Sequence, residues 1–315
     1  MYIIRNILCA VILFSNYSFG FAQIKDLSKG DYIIYSVKEN KIVDPSVIIE
    51  DFANYDVLFY GEQHTDKITH NVQFLLLQLI YEKYGVKTAL SMEMFEREVQ
   101  YIVDEYLNGF IKEEYFIKDA RCWGNYKDYR PMVEFVKSKK LELIAANAPF
   151  RYVNLVNKFG LDTLMLISEQ GKNAIAPLPY NIASGAYEEK LKNLGKEESL
   201  KKKENKEKNK EVLTTDSTKT KKYNAIPGHS LWDATMAYSI YQHNKTQPDS
   251  KIYHLNGSFH TEEHFGICQR LNEYNPNIKT LVITSIAYGK KLTNIDFNKD
   301  KKEGDYLIYT KTKPE

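Results

Sequence analysis

Val57-Leu58-Phe59-Tyr60-Gly61-Glu62-Gln63-His64-Thr65-Asp66 is the stretch that decides the fold. Four apolar residues in succession read as a strand covered on both faces. Gly61 turns the chain, and Asp66 stands where a helix needs an N-cap. Beyond it Ile68, Val72, Leu75, Leu76, Leu79 and Ile80 recur at helical spacing, and Gly85 supplies the stop. The unit returns near the other end of the chain. Lys251 to Leu255 reads as a strand, Asn256-Gly257-Ser258-Phe259-His260 closes it, and Thr261, with Glu262 and Glu263 behind it, opens a helix toward Asn275-Pro276.

Working outward from these two units, Thr88 to Met92 and Leu141 to Ala146 are further apolar runs, followed by Glu93-Met94-Phe95 and Asn147-Ala148-Pro149. Residues 32–43 alternate as a short strand or hairpin, and Asp44-Pro45 opens a helix to Asn54. A charged helical stretch leads through Trp123 to a helix expected from Pro131, and Ser230 is placed to cap another running to about His243. Leu281 to Ile286 and Tyr306 to Tyr309 complete the strands. Strands alternating with helices predict an α/β fold: one domain over residues 30–315, with a mostly parallel central sheet and helices on both faces. In such sheets ligands sit at the rim where the parallel strands end.

Two segments stand apart from that domain. Residues 1–22 carry Arg5, an apolar run from Ile7 to Phe14 and a Gly20-Phe21-Ala22 ending. This is the pattern of a cleaved export signal, and the run is far short of the roughly 20 residues that span a bilayer. Cys9 follows Leu8, which is not a lipobox. An exported product, periplasmic or peripheral to the outer membrane, is expected. Glu188 to Lys222 holds 12 Lys against 8 acidic residues. Such a stretch reads as a solvated helix followed by a disordered linker, with a basic arm for a partner or an acidic membrane surface as the alternative.

The 315 residues have 43% hydrophobic and 27% charged composition, as globular proteins do, and a net charge of only +2 gives no footprint for nucleic acid. After loss of the leader two cysteines remain, Cys122 and Cys268. Their flanks resemble no metal knuckle, and both read as packing residues.

Ionisable residues gather directly after the strands. Gly61-Glu62-Gln63-His64 and Gly257-Ser258-Phe259-His260 are two copies of Gly-x-x-His in matched strand-to-helix contexts. Glu93 and Asn147 follow the second and third runs. Glu62, His64, Glu93 and His260 form a donor set that can take Zn, Mn or Fe. Capping and loop hydrogen bonding explain any one of them singly. A second cluster, Arg121-Cys122-Trp123-Gly124-Asn125-Tyr126-Lys127-Asp128-Tyr129-Arg130-Pro131, offers phenols for ferric haem and guanidiniums for its propionates. Packing of aromatic residues onto the domain is the plainer explanation for each Tyr. His229 and Asp233, four apart, would share a helix face. His70, His243, His254 and His264 carry no distinctive pattern.

The order of these motifs, with Trp123, Tyr129-Arg130-Pro131, Trp232-Asp233-Ala234-Thr235-Met236-Ala237 and Asn256-Gly257-Ser258-Phe259-His260, resembles the ChaN family from about residue 30 to 290. That family is similar to a wider group with TIKI, TraB and erythromycin esterase-like proteins. The resemblance to ChaN implies haem binding in iron acquisition, with haem shared across a homodimer and an outer-membrane haem or iron receptor as partner. In that case Tyr129 or Tyr126 meets iron, while Arg130, His64 and His260 hold propionates, and no residue is catalytic. The resemblance to TIKI implies a metal-dependent hydrolase in which His64, His260 and Glu93 hold Zn or Mn and Glu62 is general base. Both use the same rim, so the sequence leaves both open.

Overall fold

The computed structural model describes residues 30–194, 225–289 and 291–312. The leader at 1–22 and the charged stretch from 195 onward lie outside the described residues. Eight strands form one sheet: β1 (Tyr32–Ser36), β2 (Lys41–Val43), β3 (Val57–Glu62), β4 (Thr88–Glu96), β5 (Glu142–Asn147), β6 (Lys251–Gly257), β7 (Thr280–Ala287) and β8 (Tyr306–Thr310). Their order is β2-β1-β8-β7-β3-β6-β4-β5. The run from β8 to β5 is parallel, while the β1–β2 hairpin lies antiparallel against β8. This is the expected α/β architecture. β6 comes from late in the chain, yet slots between β3 and β4.

Alternation along the strands explains why their apolar runs are unbroken. Leu58, Tyr60, Leu90, Met92, Tyr253 and Leu255 face a layer that includes Val72, Leu76, Leu77 and Ile80 of helix Lys67–Tyr84. Val57, Phe59, Ala89, Ile252 and Val282 face the other way, onto Met236, Ala237, Ile240, Ile267 and Leu271. With both faces covered, each strand residue needs an apolar side chain whichever way it points. The helix of residues 67–84 begins where Asp66 accepts from the backbone N–H of Ile68 and Thr69. Its buried stripe is turned from the expected one: Gln73 and His70 are buried, while Leu75 and Leu79 are only half-buried.

Three local expectations are corrected. The helix expected from Pro131 begins at Tyr126 and runs to Lys139, with Pro131 inside it. Tyr126, Tyr129 and Arg130 are therefore helical residues rather than loop residues. Ser230 lies inside helix Ile226–Thr246, which starts with Pro227 in its first turn. The Ser230 hydroxyl donates back to the Ile226 carbonyl at 2.9 Å and accepts from Ala183 N at 2.8 Å. From Ser258 the chain makes two short 3-10 turns, Ser258–His260 and Glu262–His264, and the helix that follows spans only Ile267–Tyr274.

The charged insert also starts later than composition suggests. Residues 185–194 are helical, Tyr187 and Leu191 are buried, and Lys190 is ringed by Glu262, Glu263 and Glu303. Cys122 and Cys268 are free, the latter buried. Among the described residues no helix is long and apolar enough to cross a membrane.

Candidate functional site

β3 and β6 are neighbours, and their register pairs Glu62 with Gly257. Both Gly-x-x-His turns therefore leave the sheet side by side at one rim. Each glycine makes room for the other copy. A Cβ on Gly61 would lie 2.9 Å from Ser258 Cα, and one on Gly257 would lie 2.9 Å from His64 Nε2. Close approach, rather than an unusual backbone angle, is what requires glycine here.

Glu62 ends β3 beneath the surface, only 2% exposed. It accepts from His64 Nδ1 at 2.8 Å and from the Gln73 amide and the Tyr129 hydroxyl. His70 Nδ1 stands 3.5 Å away. Burial alone would raise the Glu62 pKa, but the hydrogen bonds and charges of His64 and His70 bring it down to about 2. Every partner of the His70 ring is an acceptor: Gln73 Oε1 at 3.2 Å, Glu62 and the His64 carbonyl at 3.1 Å. A ring that faces only acceptors holds both protons. Burial pulls the His70 pKa down, but Glu62, Gln73 and the His64 carbonyl outweigh it and raise it to about 9.

His260 is fixed in the same way on the second copy. Its Nδ1 meets Asp233 Oδ1 at 2.6 Å, and its Nε2 stands 3.7 Å from Glu93 Oε1. Burial opposes the charged ring, yet Glu93 and Asp233 lift its pKa to about 9. Glu93 also accepts from Gly257 N at 2.6 Å, and Asp233 from the Tyr187 hydroxyl at 2.7 Å. His64 remains 40% exposed at its side chain, with Trp123 edge-on at 5.0 Å. Burial lowers its pKa less than the Glu62 bond and the Glu93 charge raise it.

The rim continues past His260 through aromatic rings. His229 lies 5.8 Å from His260, and Trp232 lies 6.1 Å from it. Trp232 in turn stacks on Phe150 at 6.2 Å and 28°. Phe150 is 62% exposed. Beside it Arg151 and Arg121 both pair with Glu98. The expected His229–Asp233 helix face is real, and both residues turn toward His260.

Several predicted roles change on this geometry. Glu62, His64, Glu93 and His260 come together at the rim. Glu62 accepts donors from below, and both nitrogens of His260 face carboxylates. Among the described residues no three His, Cys, Asp or Glu side chains are arranged to hold a metal ion. Tyr129 is 1% exposed with its hydroxyl on Glu62, and burial and that carboxylate push its pKa far up. It is a buried neutral phenol. Tyr126 is also buried, its hydroxyl 3.5 Å from Glu113. Arg130 pairs with the same Glu113 at 2.9 Å on the outer surface. Asn147 caps its own turn, accepting from Ala148 N at 2.9 Å. His70, Gln73 and Tyr187 join the site without having been expected there. The available signal was a glutamine inside an otherwise apolar helical stripe.

A sequence profile described as "Haem-binding uptake, Tiki superfamily, ChaN" matches residues 48–271. Among solved structures, the fold is similar to that in "Cofacial heme binding to ChaN of Campylobacter jejuni", with a TM-score of 0.61 and 20% identity over 88% of this chain and 96% of that one. A mutant of the erythromycin esterase EreC in its open conformation aligns with a TM-score of 0.43 and 13% identity, over 88% of this chain and 82% of the esterase. No curated protein matches the chain.

Proposed function

Since the chain belongs to the ChaN family of haem-binding uptake proteins, within the Tiki superfamily, we propose that it binds haem at the rim formed by the paired Gly-x-x-His turns. The observation that carries this is the composition of the rim. His64 stands half-open beside Trp123, and the exposed Phe150 stacks on Trp232 a short distance past His260. Flat aromatic surface next to imidazole suits a porphyrin with a central iron. Arg121 and Arg151, drawn together by Glu98 just past the end of β4, supply guanidiniums of the kind that pair with propionates, after exchanging their bonds to Glu98.

Tyr129, Tyr126 and Arg130 brace this rim from beneath or outside rather than touching haem. The export pattern at residues 1–22 and the family together support a role outside the cytoplasm, in the periplasm or at the inner face of the outer membrane. In this reading the chain takes haem delivered by an outer-membrane receptor, and a second copy closes over the bound haem.

Haemin titration of the purified chain, followed by visible absorbance, tests the proposal. A saturable Soret band distinct from that of free haemin is expected. A spectrum that remains that of free haemin at all ratios overturns it.

A further inference from the structure

The turn that follows His260 is bent in a way its own residues do not favour. Glu263 and His264 both lie in the left-handed region, at φ 57°, and Gly266 follows at φ 51°. Residues with side chains persist there only where their surroundings hold them. The surroundings here include the helix of residues 185–194, which belongs to neither Gly-x-x-His unit. Its Lys190 Nζ pairs with Glu262 at 2.9 Å, Glu263 at 3.0 Å and Glu303 at 3.2 Å. Three carboxylates meet at one ammonium, and without it they would repel one another. The Lys190 side chain is only 17% exposed, which shelters these pairs from the screening that weakens surface ion pairs. Three residues earlier, Tyr187 sets its ring 5.6 Å from that of Phe265 and donates its hydroxyl to Asp233 Oδ2 at 2.7 Å. The other oxygen of Asp233 meets His260 Nδ1. Gly266 passes close to this junction: a Cβ on it would lie 2.9 Å from the Tyr187 hydroxyl and 3.1 Å from Asp233 Oδ1.

We infer that residues 185–194 are a clamp on the second Gly-x-x-His turn, with Tyr187 and Lys190 as the residues that position His260 at the rim. The two contacts divide the task. Tyr187 fixes the carboxylate that orients the imidazole, and Lys190 fixes the chain just after it. Being three apart, they share one helix face, and Tyr187 and Leu191 seat that helix against Phe265 and Ile226. Without Lys190, Glu262 and Glu263 would separate and the left-handed residues would relax. The turn that carries His260 would then shift with them. The first Gly-x-x-His turn is held by other means, since the His64 carbonyl accepts from Asn125 at 3.0 Å and from His70 at 3.1 Å. The clamp therefore acts on one half of the rim. Its effect on haem rests on the haem reading above: loosening that half weakens whatever the rim binds.

The test reads the ring-nitrogen NMR resonances of His260 in full-length protein, assigned by their loss in His260→Gln. These report the bond to Asp233, which a helix of purely structural role would leave alone. Lys190→Met keeps the apolar stem and drops the charge, and it is expected to shift the resonances. Lys190→Arg is expected to return them to the wild-type positions. Tyr187→Phe keeps the ring on Phe265 and removes one donor from Asp233, and it is expected to shift them as well. Lys192→Met is the control, since its partners Glu188 and Glu189 lie on its own helix, and should leave them in place. Should Lys190→Met fail to fold, Tyr187→Phe carries the test alone. Wild-type resonances in folded Lys190→Met or in Tyr187→Phe, or an equal shift in Lys192→Met, overturn the inference. Haemin titration of the same proteins is expected to show roughly 5–150-fold weaker binding in Lys190→Met, the usual range of coupling between separate sites. Resonances that shift while haem affinity stays at the wild-type level leave the clamp standing and overturn the haem reading of this rim.

Discussion

The missing side chain of Gly257 and the ring of His64 occupy adjacent space: a Cβ on that glycine would lie 2.9 Å from Nε2 and 3.1 Å from Cε1 of the histidine. The two residues are far apart in sequence and meet because β3 and β6 are paired in register.

Gly257→Ala is therefore expected to displace the His64 ring, because a half-exposed side chain can move aside. Its stability cost should stay below the ~1–3 kcal/mol typical of overpacking, while the haem spectrum changes. Gly61→Ala meets Ser258 Cα, which is backbone, at 2.9 Å, and should pay the full range. Urea unfolding of the two variants ranks them. Equal losses would mean that the rim is as rigid as the core.

Tyr129→Phe removes one donor from buried Glu62. A loss of about 1.5–3 kcal/mol is expected, as for hydrogen bonds to charged groups. Haem absorbance should keep its shape in this variant. A changed spectrum would return the phenol to the list of iron contacts.

Asp66 caps helix Lys67–Tyr84 and also accepts from the hydroxyls of Thr310 and Thr312. Asp66→Ala should cost more than the ~1 kcal/mol of an ordinary N-cap, since the hydroxyl of Thr310 is left buried and unpaired. Denaturant melts would show this, and a loss within a few tenths of a kcal/mol would disprove it.

The pH dependence of stability should carry the signature of His260. Its pKa of about 9 in the folded chain lies above the ordinary value of 6.5. Its contribution is then complete below pH 6.5 and fades as pH rises through 9. Melting temperature should fall over that window, and Asp233→Asn should be less stable at pH 6 with a flatter profile above it. Identical slopes for variant and wild type would refute the assignment.

Protein recovered from its native host should start at or near Gln23, in a non-cytoplasmic fraction. N-terminal sequencing that finds Met1 intact would contradict export.

Much of the fold was legible because its signals are local. The run Val57–Tyr60 and the cap at Asp66 needed only neighbours along the chain, and even the convergence of His64 and His260 followed from matched strand ends. Where the sequence misled, a distant partner decided the outcome. Pro131 looked like a helix start, yet burial of Tyr126 and Tyr129 against the domain carries the helix back one and a half turns. Residue types do not reveal protonation either. Only the acceptors around His70 and His260, drawn from several elements, show that these rings hold protons. Gln73 drew no expectation from the sequence, because its burial depends on Glu62 of a neighbouring element.

The insertion of β6 between β3 and β4 has a consequence for assembly. One Gly-x-x-His copy precedes residues 195–224 and the other follows them, so two polypeptides divided within that stretch would each carry half of the rim. The first would hold β3 and β4 with a strand-wide gap between them, and the second would hold the strand that fills it. Co-expressed halves should regain haem absorbance only on reconstitution, which would make the cofactor's colour a direct reporter of complementation.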